Sequence, residues 1–160
     1  MSEEATGDVA QQLLMNKIIA GALMVGVVLI TATLVFVNGG KSASFGVLSA
    51  FGLVVGFACL SASLIVPGIV ARSPATEGGS EDKSDTDRRM ERFGVSVVVR
   101  YALLEGAAVL NVVLFVVEPW WPQLGVVALM LVVMAMNFPT ESRWRDYVEA
   151  REREERLGER

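Results

Sequence analysis

Four long apolar runs, separated by turns and polar segments, limit most strongly what this chain can fold into. They cover about residues 16–37, 44–68, 94–117 and 121–138. A helix of about 20 apolar residues crosses a hydrocarbon core of roughly 30 Å, and it satisfies its own backbone hydrogen bonds there. The runs therefore predict an all-α fold, an integral membrane four-helix bundle. Neighbouring helices should be antiparallel because most of their connections are short.

The polar segments divide the chain into a four-span transmembrane domain, residues 1–140, and a tail, residues 141–160. Residues 71–91, between the second and third runs, are rich in Ser, Gly, Thr and acidic side chains, which predicts a mobile loop. The tail alternates in charge sign, and Glu149 and Arg153 have the i,i+4 spacing of an ion pair on one helix face. We expect the tail to form a charged helix.

The distribution of lysine and arginine predicts the orientation in the membrane. The tail and the loop at residues 71–91 carry most of the cationic residues, and Lys17 flanks the first run. The two remaining connections hold only Lys41. Because cationic loops stay on the cytoplasmic side, both termini, the long loop and the helical tail should be cytoplasmic. We expect a multi-pass protein of the bacterial inner (plasma) membrane.

Glu105 places one carboxylate near the centre of the third run. A central carboxylate costs about 3 kcal/mol on insertion scales, so it needs a physical reason. Arg100 and Asn111, two further polar residues of this run, fall on nearly the opposite helix face. A spacing of five residues is also wrong for an ion pair between Arg100 and Glu105 within one helix. Glu105 must therefore find a partner on another helix, in water, or in its own protonated form.

The second run contains a narrow face of small side chains. Its members recur at spacings of three and four residues: Ser49, Gly52, Gly56, Cys59 and Ser63. Small residues let a second helix backbone approach closely, which is how membrane helices gain packing contacts. This helix-packing face is consistent with packing inside the chain and with a seam between copies of the chain, and both interpretations remain open.

Composition and motifs exclude several functional classes. The chain is 52% hydrophobic and has no histidine and a single cysteine. Histidine-based metal sites, bases and pH switches are therefore excluded, as is an internal disulfide. GxSxG, Walker, CxxC and HExxH patterns do not occur. We predict no enzyme activity, no metal or other cofactor, and no nucleic-acid partner.

Residues 45–117 resemble the helical hairpin of the rotary ATP synthase c subunit. The resemblance consists of a first helix rich in small residues, the loop motif Arg72-Ser73-Pro74, and a second helix with the segment ALLEGAA at residues 102–108. It implies that Glu105 is a proton or sodium site and that Arg72 is a loop residue. The chain as a whole looks like the small four-span membrane proteins of bacteria.

Two functions follow from these patterns. In the first, the protein is structural or binds a partner, and Glu105 fixes helix register or contacts a partner helix. In the second, it is an ion or small-solute carrier that uses Glu105. A membrane enzyme is less favoured, since one acid without a base or a metal cluster is a poor site. The expected partners are the lipid bilayer and either a second copy of the chain or other membrane helices.

Overall fold

The computed structural model describes residues 3–38, 45–72 and 85–158, and this part of the chain is entirely helical. It contains five helices: α1 (Glu3–Asn38), α2 (Val47–Arg72), α3 (Asp85–Val117), α4 (Pro122–Met136) and α5 (Glu141–Gly158). The described residues form no strand. The prediction of an all-α fold is confirmed.

Three of these helices contain segments long and apolar enough to cross a membrane: Ala10–Val37, Val47–Val66 and Arg89–Val117. α4 has only 15 residues, which is about 22 Å of helix and less than a hydrocarbon core of roughly 30 Å. It reaches the length of a span only together with α5, across a bend of 72°. The structure thus contains three or four candidate spans, as in a multi-pass membrane protein.

Both ends of the segment predicted as a loop are helical in the structure. Residues 71–72 belong to α2 and residues 85–91 belong to α3, whereas residues 73–84, with Ser73 and Pro74, lie outside the described residues. Met90 and Phe93 near the start of α3 are buried against Leu13 of α1. This packing explains why α3 begins before residue 94, where the apolar run begins, because tertiary contacts stabilise a helix beyond its apolar core.

α3 lies at the centre of the fold and contacts α1, α2, α4 and α5. Its buried face contributes the largest share of the buried hydrophobic core, followed by α4 and then α1. The fully or nearly fully buried members of this core include Tyr101, Leu104, Ala108 and Val112 of α3, Ala20 and Val27 of α1, and Val127, Met130 and Met134 of α4. Every functional side chain described below is therefore placed relative to α3.

The outer surfaces of α1 and α2 are apolar. Large exposed side chains include Leu29 and Phe36 on α1, and Val54, Phe57 and Ile65 on α2. Exposed apolar surface on this scale is unusual for a protein in water and typical of one that contacts lipid. The surface thus agrees with the length and composition of the candidate spans.

Candidate functional site

Glu105 lies at the edge of the outer face of α3. Its side chain is partly buried, its neighbours Ala102 and Gly106 are exposed, and Val112 on the same side of the helix is fully buried. Within the described part of the chain, no group hydrogen bonds to the Glu105 carboxylate or forms an ion pair with it. The residue that is most costly to place in the membrane is thus left without an internal partner.

Arg100 points to the opposite side of α3 and joins three helices. Its Nε donates a hydrogen bond to the carbonyl oxygen of Ser63 at 3.1 Å, and its Nη1 donates to Asn137 Oδ1 at 2.7 Å. The neighbouring Tyr101 hydroxyl donates to the Met134 carbonyl oxygen at 2.6 Å. These bonds connect the second half of α2 and the end of α4 to α3.

Asn111 is fully buried between α2 and α3. Its Nδ2 donates to the carbonyl oxygens of Gly52, at 3.2 Å, and of Ala107, at 2.9 Å. Gln123, at the start of α4, is also fully buried, and its Nε2 donates to Ser49 Oγ at 3.3 Å. A second set of polar contacts therefore joins α2, α3 and α4 near the first half of α2.

The small-residue face of α2 lies against α3 and α4. A Cβ atom at Gly56 would lie 2.9 Å from Val126 Cγ1 of α4. Cys59 packs against the core, and Ser63 is fully buried, with its hydroxyl donating to the Leu60 carbonyl oxygen at 2.7 Å. In this structure the face serves packing within one chain.

Glu118, in the turn between α3 and α4, supplies an N-terminal cap for α2. Its Oε2 accepts a hydrogen bond from the backbone N–H of Ser49, the third residue of α2, at 2.9 Å. The first turn of α2 has no acidic residue of its own, and Gly46 has no side chain to offer. A side chain at residue 46 would overlap the Glu118 carboxylate. The first N–H groups of a helix need an acceptor, and here it comes from 69 residues away.

Replacing Glu118 with leucine is expected to lower the free energy of unfolding by about 1 kcal/mol, because the N–H of Ser49 loses its acceptor. Glu118→Gln keeps an oxygen acceptor and should retain most of this stability. The measurement is equilibrium unfolding in mixed detergent micelles. Wild-type stability in the leucine variant would contradict the capping role.

The residues predicted from the sequence thus fall into separate places. The structure brings Gly52 next to Asn111 and the backbone of Ser63 next to Arg100, while Glu105 remains apart on the outer side of α3. Sequence reasoning missed the contacting residues Glu118, Gln123 and Asn137, together with the hydroxyl of Tyr101. The sequence did offer one indication of them. Glu118, Gln123 and Asn137 are polar residues near the two ends of the fourth apolar run.

Among the described residues, His, Cys, Asp and Glu side chains form no group of three or more that could hold a metal ion. Compared with protein-family models, with curated proteins and with solved structures, the chain matches none.

Proposed function

We propose that this protein is a non-catalytic four-span bundle of the inner membrane that associates with a second copy of itself through the outer face of α3 around Glu105. One observation carries the proposal. From Ser96 to the end of α3, the other polar side chains each donate a hydrogen bond within the chain, and the Glu105 carboxylate has no partner in the described structure. The bonded side chains are Ser96, Arg100, Tyr101 and Asn111.

The position of Glu105 in the candidate span makes an unpartnered carboxylate costly. Glu105 is near the middle of the candidate span Arg89–Val117, where an ionisable side chain costs about 3 kcal/mol. A polar bond between membrane helices recovers about 1–2 kcal/mol. In a twofold dimer whose axis passes beside Glu105, the carboxyl groups of the two copies meet and can hydrogen-bond to each other. A second copy therefore supplies the missing partner.

The surface around Glu105 suits close contact between helices. Ala102 and Gly106 are exposed beside it, and apart from its own stretch of helix no described atom lies within 4 Å of the position that a Cβ atom at Gly106 would take. Small side chains let two helix backbones approach closely and gain packing contacts. The same face thus offers both a hydrogen-bonding group and room for a second helix.

The proposal includes a topology. We propose that α4, residues 137–140 and the start of α5 together cross the membrane as a bent fourth span, and that both termini and the charged remainder of α5 lie in the cytoplasm. The clustering of cationic residues in the tail and in the segment between α2 and α3 supports this orientation. The 72° bend directs α5 away from the axis of α4, which suits a helix that leaves the span near the membrane surface.

The test measures dimerisation in lipid vesicles by single-molecule photobleaching over a range of protein-to-lipid ratios. Glu105→Leu is expected to weaken dimerisation by about tenfold, since one polar bond between membrane helices is lost. Glu105→Gln keeps a donor and an acceptor and should dimerise like the wild type. The control is Ser61→Leu, a change from polar to apolar at an exposed position of α2. A monomeric wild type, or equal dimerisation of Glu105→Leu, would overturn the proposal.

A second candidate is a proton or sodium carrier, which the unpartnered carboxylate and the resemblance of residues 45–117 to the c-subunit hairpin favour. Further polar groups along a path would be needed for this role. The hydroxyls of Thr31, Thr33 and Ser61 each donate to a carbonyl oxygen of their own helix. Vesicles with an imposed proton or sodium gradient distinguish the two functions, because a carrier loses flux in Glu105→Gln while the dimer persists.

A further inference from the structure

A cavity of about 310 Å³ opens where α5 turns away from α4. It lies between α2, α3, α5 and the residues that connect α4 to α5. Its polar lining includes Arg100 and Tyr101 of α3, Asn137 after α4, and Arg143, Asp146 and Tyr147 of α5. The cavity thus brings two guanidinium groups from different helices to one space.

Both guanidinium groups are held in place by hydrogen bonds to uncharged oxygens. Arg100 uses two of its five N–H donors on the Ser63 carbonyl and the Asn137 amide. Arg143 donates from Nη2 to the Met136 carbonyl oxygen at 2.9 Å. Across the described residues, neither arginine lies within ion-pair distance of a carboxylate. Two oriented cations therefore keep most of their donors for another group.

The net charge of the cavity lining is positive. Among the residues that line the cavity, only Asp146 carries a carboxylate, and its side chain is exposed. Two guanidinium groups outweigh that single negative charge. The guanidinium group of an arginine can donate two parallel hydrogen bonds to two oxygens of one phosphate group. A phosphate group is small enough for this cavity.

Aromatic side chains indicate that the cavity lies near a membrane boundary. Arg100 lies in the first half of the candidate span Arg89–Val117, and a long cationic side chain there can extend toward the boundary at the start of that span. Trp144 and Tyr147 of α5 contact Phe93 beside the cavity, with ring centroids 5.4 Å apart in each case. Tryptophan and tyrosine are enriched at the boundary between lipid and water.

We propose that this cavity binds an anionic phosphate group at the membrane surface, with Arg100 and Arg143 as its two principal donors. A phospholipid headgroup and free inorganic phosphate both offer this chemistry. The site is separate from Glu105, which lies on the other side of α3, so it does not depend on the proposed dimer.

The experiment is native mass spectrometry of the full-length protein in detergent, titrated with phosphatidylglycerol. Arg143→Gln is expected to weaken lipid binding by about tenfold, because charged hydrogen bonds to the phosphate are lost. The matched control is Arg145→Gln, which removes the same charge from an exposed position of the same helix outside the cavity. Its affinity should stay within about twofold of the wild type, since Arg145 is exposed like Arg143 but does not line the cavity. A thermal unfolding midpoint for each variant verifies folding.

Two further titrations identify the source of the phosphate. Inorganic phosphate that displaces the lipid, with the same dependence on Arg143, assigns the site to a soluble anion. If inorganic phosphate does not displace phosphatidylglycerol, the site is assigned to a lipid headgroup. Equal weakening by Arg143→Gln and Arg145→Gln would overturn the proposal, because binding would then follow the general charge of α5. Equal affinity for zwitterionic phosphatidylcholine, or no binding of either probe, would also overturn it.

Discussion

Gly52→Leu is expected to lower the free energy of unfolding by about 2–3 kcal/mol, as overpacked cores do. A Cβ atom at residue 52 would lie 2.8 Å from Asn111 Oδ1 and 2.9 Å from Leu114 Cδ1. Asn111 cannot move away freely, since its Nδ2 bonds to the carbonyl oxygens of Gly52 and Ala107. A leucine must therefore separate α2 from α3 or break the buried amide contact.

The matched control for this prediction is Gly125→Leu. Gly125 is also a helical glycine, but apart from its own stretch of helix no described atom lies within 4 Å of the position that its Cβ would take. This variant should be as stable as the wild type or slightly more stable, since glycine is a poor helix former. Equilibrium unfolding in mixed detergent micelles gives both values. Similar stabilities for the two variants would contradict close packing at Gly52.

Tyr101→Ala is expected to lower the free energy of unfolding by about 3 kcal/mol or more, because it empties a large volume at the contact between α3 and α4. Tyr101 is 1% exposed, and its hydroxyl donates to the Met134 carbonyl oxygen at 2.6 Å. The loss combines the packing of the ring with one buried hydrogen bond. The second part is small, since such bonds within a membrane average about 0.6 kcal/mol.

Tyr101→Phe separates these two contributions. It keeps the ring and removes only the hydroxyl, so its expected loss is about 1 kcal/mol or less. The same unfolding measurement compares both variants with the wild type. A loss as large for phenylalanine as for alanine would mean that the hydroxyl, and not the packed ring, holds the end of α4 against α3.

The small-residue face of α2 shows what sequence periodicity can and cannot predict. The spacing of Gly52 and Gly56 predicts that they share one side of a helix, because this follows from 3.6 residues per turn. It does not predict what that side contacts. The structure places Asn111 of α3 opposite Gly52 and Val126 of α4 opposite Gly56. Packing within the chain and a seam between copies thus have the same sequence pattern, and only the tertiary arrangement distinguishes them.

For Arg100, the sequence predicts a direction for the side chain but not the groups that it contacts. From its place near the end of an apolar run, a long cationic side chain is expected to extend toward the membrane boundary. In the structure it also donates to the backbone of Ser63 and to the side chain of Asn137, each 37 residues away. The sequence contains no local signal for such partners. Its contribution to a cavity shared with Arg143 could likewise not be predicted.

The sequence by itself determined that the chain is helical and that three or four of its helices are long and apolar enough to cross a membrane. These properties are local, because each depends on the composition of about 20 consecutive residues and on hydrogen bonds within one segment. The tertiary structure decided which polar groups meet. Asn111 meets Gly52, Glu118 meets the start of α2, and Glu105 meets no described group, since such contacts depend on how helices distant in sequence pack around α3.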